Sequence, residues 1–169
     1  MMAERTRYAR SVLDEGFFLT IAGLAMSFAG FTGLMNALRR SGETWQPMEL
    51  YQLRIIVAYA ITTLFGALFV VPFVELLGQH DGIQWLGGLM LVASLALGLG
   101  NMRSDISGAH GTVLSRRVRV IFTTITVLGV VALVATVFTG APAMLRVALL
   151  LMLAMPAGTF AYVVARIDH

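Results

Sequence analysis

The sequence predicts an all-α integral membrane bundle of about five transmembrane helices, and three observations carry that expectation. Charged residues make up only 12% of the chain, about half of what a soluble domain carries. Hydrophobic residues make up 58%, with a mean hydropathy of +0.83. The apolar residues fall in runs of about 20, the length at which a helix crosses a hydrocarbon layer of about 30 Å. Helix is the conformation these runs require. Backbone polar groups in lipid must be satisfied within the segment or in a closed barrel, and a barrel needs short stretches of alternating polarity, which these runs lack.

The first span is read at residues 16–38. Arg5, Arg7 and Arg10 precede it, but the apolar run exceeds the 7–15 residues or so of a cleavable signal peptide and ends in Ala37-Leu38-Arg39-Arg40. It is therefore expected to be retained. The second span is placed at 53–77, with its helix entering near Pro47, since proline suits the first helical turn. Glu49 then lies near the positive helix end, and Trp45 and Tyr51 fit an interfacial aromatic belt. The third span is placed at 83–101, after a tight turn over Gly78–Gly82. The fourth is placed at 118–138 and the fifth at 143–165, joined by Thr139-Gly140-Ala141-Pro142. The plan is one lead helix followed by two helical hairpins, forming a single transmembrane domain over 1–169.

All twelve basic residues are arginine, and there is no cysteine. Disulfides, thiol nucleophiles, cysteine metal sites, Schiff-base lysines and P-loop lysines are thereby excluded. The basic balance reflects arginines beside membrane spans rather than nucleic-acid binding, because no basic cluster reaches the length of such a patch. Arg39, Arg40, Arg54, Arg103, Arg116, Arg117, Arg119 and Arg166 fall on one side; Arg5, Arg7, Arg10 and Arg146 fall on the other. The positive-inside rule then puts the amino terminus outside and the carboxyl terminus in the cytoplasm.

Small and polar residues recur at helical spacing inside the runs: Gly23, Ser27 and Gly30 in span one, Ala58, Thr62 and Gly66 in span two. Gly87, Ser94, Gly98 and Asn101 do so in span three, and Thr126, Gly129, Ala132 and Thr136 in span four. Small residues allow close helix–helix approach in lipid, so Gly23, Ser27, Gly30, Gly87, Ser94 and Gly98 are the expected packing positions. The alternative is a polar lining for a pathway. Pro72 and Pro156 are expected to bend their helices.

Glu75, His80, Asp81, Asn101 and Arg146 are the polar candidates for function. Glu75 near a membrane edge has the chemistry to titrate or bind a cation, although reaching the headgroups explains it as well. Glu75, His80 and Asp81 lack a metal-ligand spacing. Arg146 can snorkel to the interface, and both hairpin turns should share a side, so an Arg146 pairing with Glu75 or Asp81 is a candidate. Ser104, Asp105, Ser107, His110 and Ser115 share a loop but do not make a triad, which is defined by geometry and role.

Ala29-Gly30-Phe31-Thr32-Gly33-Leu34, Ala37-Leu38-Arg39-Arg40, Trp45, Pro47, Glu49, Leu53-Arg54 and Pro72 form a pattern over roughly the first 75 residues. It resembles a family of uncharacterised small bacterial inner-membrane proteins. The resemblance implies a multi-pass protein of the bacterial plasma membrane and no activity or site residues.

These readings favour a scaffold or subunit of a homo- or hetero-oligomeric membrane complex. Its partners would be the lipid bilayer and either copies of itself or another membrane protein, with no cofactor, metal or nucleic acid. An oligomeric ion channel or small-solute transporter is the alternative. A membrane-embedded enzyme ranks last, because intramembrane chemistry needs positioned acids, bases or metal ligands.

Overall fold

The computed structural model describes residues 15–38, 47–106 and 116–167. Among the described residues the chain forms α1 (Glu15–Leu38), α2 (Pro47–Leu68), α3 (Val70–Leu77), α4 (Gln79–Ile106), α5 (Arg116–Thr139) and α6 (Pro142–Ile167), and no strand. Five apolar spans run through them: Gly16–Leu34, Gln52–Leu77, Gln79–Gly100, Val120–Thr139 and Pro142–Ala161, each long and apolar enough to cross a membrane. Much of the outer surface is apolar as well: Leu76, Phe138 and Trp85 are 81%, 79% and 68% exposed. Soluble monomers rarely expose broad apolar surface, whereas lipid requires it.

Pro47 opens α2, as expected of a residue with no N–H to leave unpaired. The second span is one helix interrupted at Phe69, where α2 gives way to α3. Pro72 supplies no N–H to the Leu68 carbonyl one turn earlier. The flanking bonds persist: Phe69 N–H donates to Phe65 O at 2.9 Å and Phe73 N–H to Phe69 O at 3.0 Å. Pro156, by contrast, lies within an unbroken α6 and is fully buried.

The turn between the second and third spans is tighter than the five residues expected from Gly78–Gly82. Only Gly78 is non-helical, at φ 87°, ψ 164°, and α4 begins at Gln79. A positive φ is what glycine tolerates without penalty, so one residue reverses the chain. Gly82 instead serves packing. A Cβ there would come within 2.5 Å of the Phe73 carbonyl oxygen and 2.9 Å of Val74 Cα, so α3 and α4 touch backbone to backbone. Gly140, at φ 58°, makes the corresponding reversal before α6. The third apolar span ends at Gly100, close to the expected residue 101, and its helix runs on to Ile106.

The two hairpins form the heart of the bundle. α3 packs on α4, α4 on α5, α5 on α6, and α6 on α2, which closes the ring; α1 lies outside it against α2 and α6. Ring contacts fix the direction of α1. Arg146, near the start of α6, lies over Phe17 and Phe18, while Phe160, near its end, meets Phe28 and Phe31. The first and last of the five apolar spans therefore run in the same direction. The core joins Ile21 and Ala25 of α1 to Ala67, Leu86, Leu133 and Leu149 of the hairpins.

Candidate functional site

The residues selected from the sequence separate into three places. The first is the turn end of the bundle. His80 and Asp81 open α4 and Glu75 lies near the end of α3, and all three side chains are exposed. The His80 imidazole packs over Gly140, where a Cβ would collide with the ring. The two hairpin turns thus abut on one side, as anticipated. Among the described residues no group of histidine and acidic side chains is arranged to hold a metal.

Arg146, expected as a partner for Glu75 or Asp81, lies beside two aromatic rings of α1. The Arg146 guanidinium stands 5.5 Å from the Phe17 ring centroid and 5.9 Å from that of Phe18. At such distances the aromatic quadrupole attracts the cation. Arg146 is half-buried against α1, whereas both acids remain exposed. Its place one turn into α6 therefore serves the seating of α1. The side chain of Asn101 and the loop residues Ser107, His110 and Ser115 lie outside what the structure describes.

The second place is the outer face of α1. Gly23, Ser27 and Gly30 were expected to pack within the bundle, but all three face out of it. A Cβ at Gly23 or Gly30 would meet nothing within 4 Å, and Ser27 returns its hydroxyl proton to Gly23 O at 2.8 Å. Gly98 is open in the same sense. The residues that bury α1 are instead Phe18, Ile21, Ala22, Ala25 and Thr32. Other small residues do pack inside. A Cβ at Gly66 would strike the Met90 thioether, and one at Gly87 would lie 2.9 Å from Thr136 Cγ2. Ser94 is buried between α4 and α6.

The third place is a small, partly open pocket between α2, α4, α5 and α6. Its lining includes Tyr59, Ser94, Thr126, Gly129, Met152 and Met155. Each of these lies at least six residues from either end of its apolar span, or about 9 Å along the helix. The space holds about one water molecule. Tyr59 is buried at its wall. Ser94 Oγ donates to Met90 O at 2.8 Å and lies 3.8 Å from Met152 Sδ. Thr126 Oγ1 donates to Phe122 O at 2.9 Å and lies 3.7 Å from Met155 Sδ.

Comparison with protein-family models, curated proteins and solved structures finds no match.

Reading the sequence for polar faces found Ser94, Thr126 and Gly129 but missed Tyr59, Met152 and Met155. Two signals were available. Tyr59 stands inside an apolar run rather than in the interfacial belt where tyrosine is usual. Met152 and Met155 are three apart, which places them on one face of a helix, one residue ahead of Pro156.

Proposed function

We propose that this chain is a scaffold or subunit of an oligomeric membrane complex and that a second copy packs on the outer face of α1. The supporting observation is the contrast between glycines. Gly66, Gly82, Gly87 and Gly158 are each filled by a neighbouring element, whereas Gly23, Gly30 and Gly33 of α1, like Gly88, Gly98 and Gly100 of α4, meet nothing within 4 Å among the described residues. In lipid, helices gain little from hiding apolar surface from one another, and close backbone approach at small residues supplies van der Waals association. Gly23, Ser27 and Gly30 follow one another along about 10 Å of helix, with Ser27 already satisfied by its own backbone. A facing helix can approach such a stripe without stranding a polar group. The complex resides in the bacterial plasma membrane, with the amino terminus outside and the carboxyl terminus cytoplasmic.

The alternative is an oligomeric channel or transporter, and the hydroxyls of Ser94 and Thr126 at the small pocket are what favours it. That space is water-sized and so too small to be a conduit through one chain. A pathway would have to form between copies.

Because cysteine is naturally absent, Ser27→Cys introduces a single thiol for oxidative crosslinking in native membranes. The expected product is a disulfide-linked dimer, abolished when Gly23→Leu and Gly30→Leu are added. Leu89→Cys, on the exposed face of α4, should stay monomeric. Equal crosslinking at the two positions, or none at Ser27→Cys, would refute the α1 interface.

A further inference from the structure

We propose that the end of the bundle opposite the two hairpin turns binds the phosphate groups of anionic phospholipid through arginine. The packing of the helices assembles that end. Met90 and Leu149 both lie against Gly66, and Ser94 lies against Met152, so α4 runs parallel to α6. Gly129 lies against Leu151 and Thr126 against Met155, so α5 runs antiparallel to α6. Tyr59 shares a pocket with Met155 while Gly66 adjoins Leu149, so α2 is antiparallel to α6 as well. The start of α2, the end of α4, the start of α5 and the end of α6 therefore lie together.

Among the described residues this end carries Arg54, Arg103, Arg116, Arg117, Arg119 and Arg166 against two acids, Glu49 and Asp105. The turn end carries Arg146 against Glu15, Glu75 and Asp81. Positive charge is thus concentrated at one end, and clusters of about 4–8 basic residues beside membrane spans attract anionic lipid. Topology alone does not account for the choice of residue. The positive-inside rule counts lysine and arginine alike, yet all twelve basic residues are arginine. A guanidinium pairs with two phosphate oxygens at once, whereas an ammonium is a point charge. Arg116, Arg117 and Arg119 open α5, whose first turn holds no acid. The helix dipole already places about half a positive charge there, so these residues oppose the helix unless an anion sits at its start. Arg54 is exposed just inside the second span, so its stem can lie along hydrocarbon with its charge at headgroup level.

This contact needs no second copy, so lipid binding and α1 association stand or fall separately. The test uses the full chain reconstituted into phosphatidylcholine vesicles with trace spin-labelled phosphatidylglycerol or spin-labelled phosphatidylcholine. Electron paramagnetic resonance reads the fraction of each label held at the protein surface. Both leaflets carry the label, so the direction of insertion does not affect the reading. The expected result is a several-fold preference for phosphatidylglycerol at about 0.1 M salt, where charges are screened over about 10 Å, shrinking at about 1 M, where that length is about 3 Å. Arg116→Gln/Arg117→Gln/Arg119→Gln should lower the preference, and Arg146→Gln, at the opposite end, should leave it unchanged. Arg116→Lys/Arg117→Lys/Arg119→Lys keeps the charge and should retain only part of the preference. If the glutamine chain does not fold, the lysine chain and the salt series on the natural chain decide instead. No preference for phosphatidylglycerol, a preference indifferent to salt, an equal preference in the glutamine chain, or full retention by the lysine chain would overturn the assignment.

Discussion

Gly82→Ala adds one methyl group where two helix backbones meet. The new Cβ would sit 2.7 Å from the Phe73 carbonyl carbon and 2.9 Å from Val74 Cα. Carbon atoms pack without repulsion at about 3.5–4.0 Å, so α3 and α4 must part by about 0.7 Å. Backbone cannot rotate away as a side-chain tip can, and the one-residue turn at Gly78 leaves little slack. Overpacking of this kind costs about 1–3 kcal/mol, against a gain of up to ~1 kcal/mol from replacing glycine within a helix. Gly98→Ala provides the control, since a Cβ there meets nothing within 4 Å and only the propensity gain remains. Heating both variants in detergent and measuring the surviving monodisperse fraction gives the comparison. Gly82→Ala should lose stability and Gly98→Ala should keep or gain it. For a chain of this size about 1 kcal/mol moves the midpoint by roughly 2–4 °C, so the two should differ by several degrees. Equal midpoints would refute the backbone contact between α3 and α4.

Thr63 offers a test of opposite sign. Its Oγ1 is fully buried with no hydrogen-bond partner, a state that costs about 1–3 kcal/mol. Thr63→Val should therefore raise the thermal midpoint, whereas Thr136→Val, which removes a 2.8 Å bond to Ala132 O, should not; a lower midpoint for Thr63→Val would count against the orphaned hydroxyl. For Arg146, a double-mutant cycle with Phe18→Leu and Arg146→Gln should show coupling of about 0.5–2 kcal/mol. Additivity in that cycle would contradict the placement of the guanidinium over α1.

The five spans were legible because length and hydropathy suffice to mark a membrane helix. Proline chemistry correctly marked the start of α2 at Pro47 and the interruption of the second span ahead of Pro72. The orientation of each helix about its axis was not legible, and α1 shows why. In water a helix reveals its inner face by contrast with a polar outer one. In lipid both faces are apolar, so Ala22 and Ala25, which are buried, look no different from Gly23 and Ser27, which are not. Gly82 was assigned to a turn because glycine beside glycine suggests one. Its role as a contact for the Phe73 backbone depends on the fold of α3 against α4. The cavity was half visible. Hydroxyls stand out in an apolar run, but methionines that fill a core and methionines that line a space have the same sequence signature.

Self-association through α1 carries the proposed function. The most direct measurement is the mass of the complex extracted from its native membrane in lipid nanoparticles, for the natural chain and for Gly23→Leu/Gly30→Leu. A multiple of the chain mass for the first and a single folded chain for the second is the predicted outcome. A single chain in both, or an unchanged multiple after the outer face of α1 is filled, would contradict it.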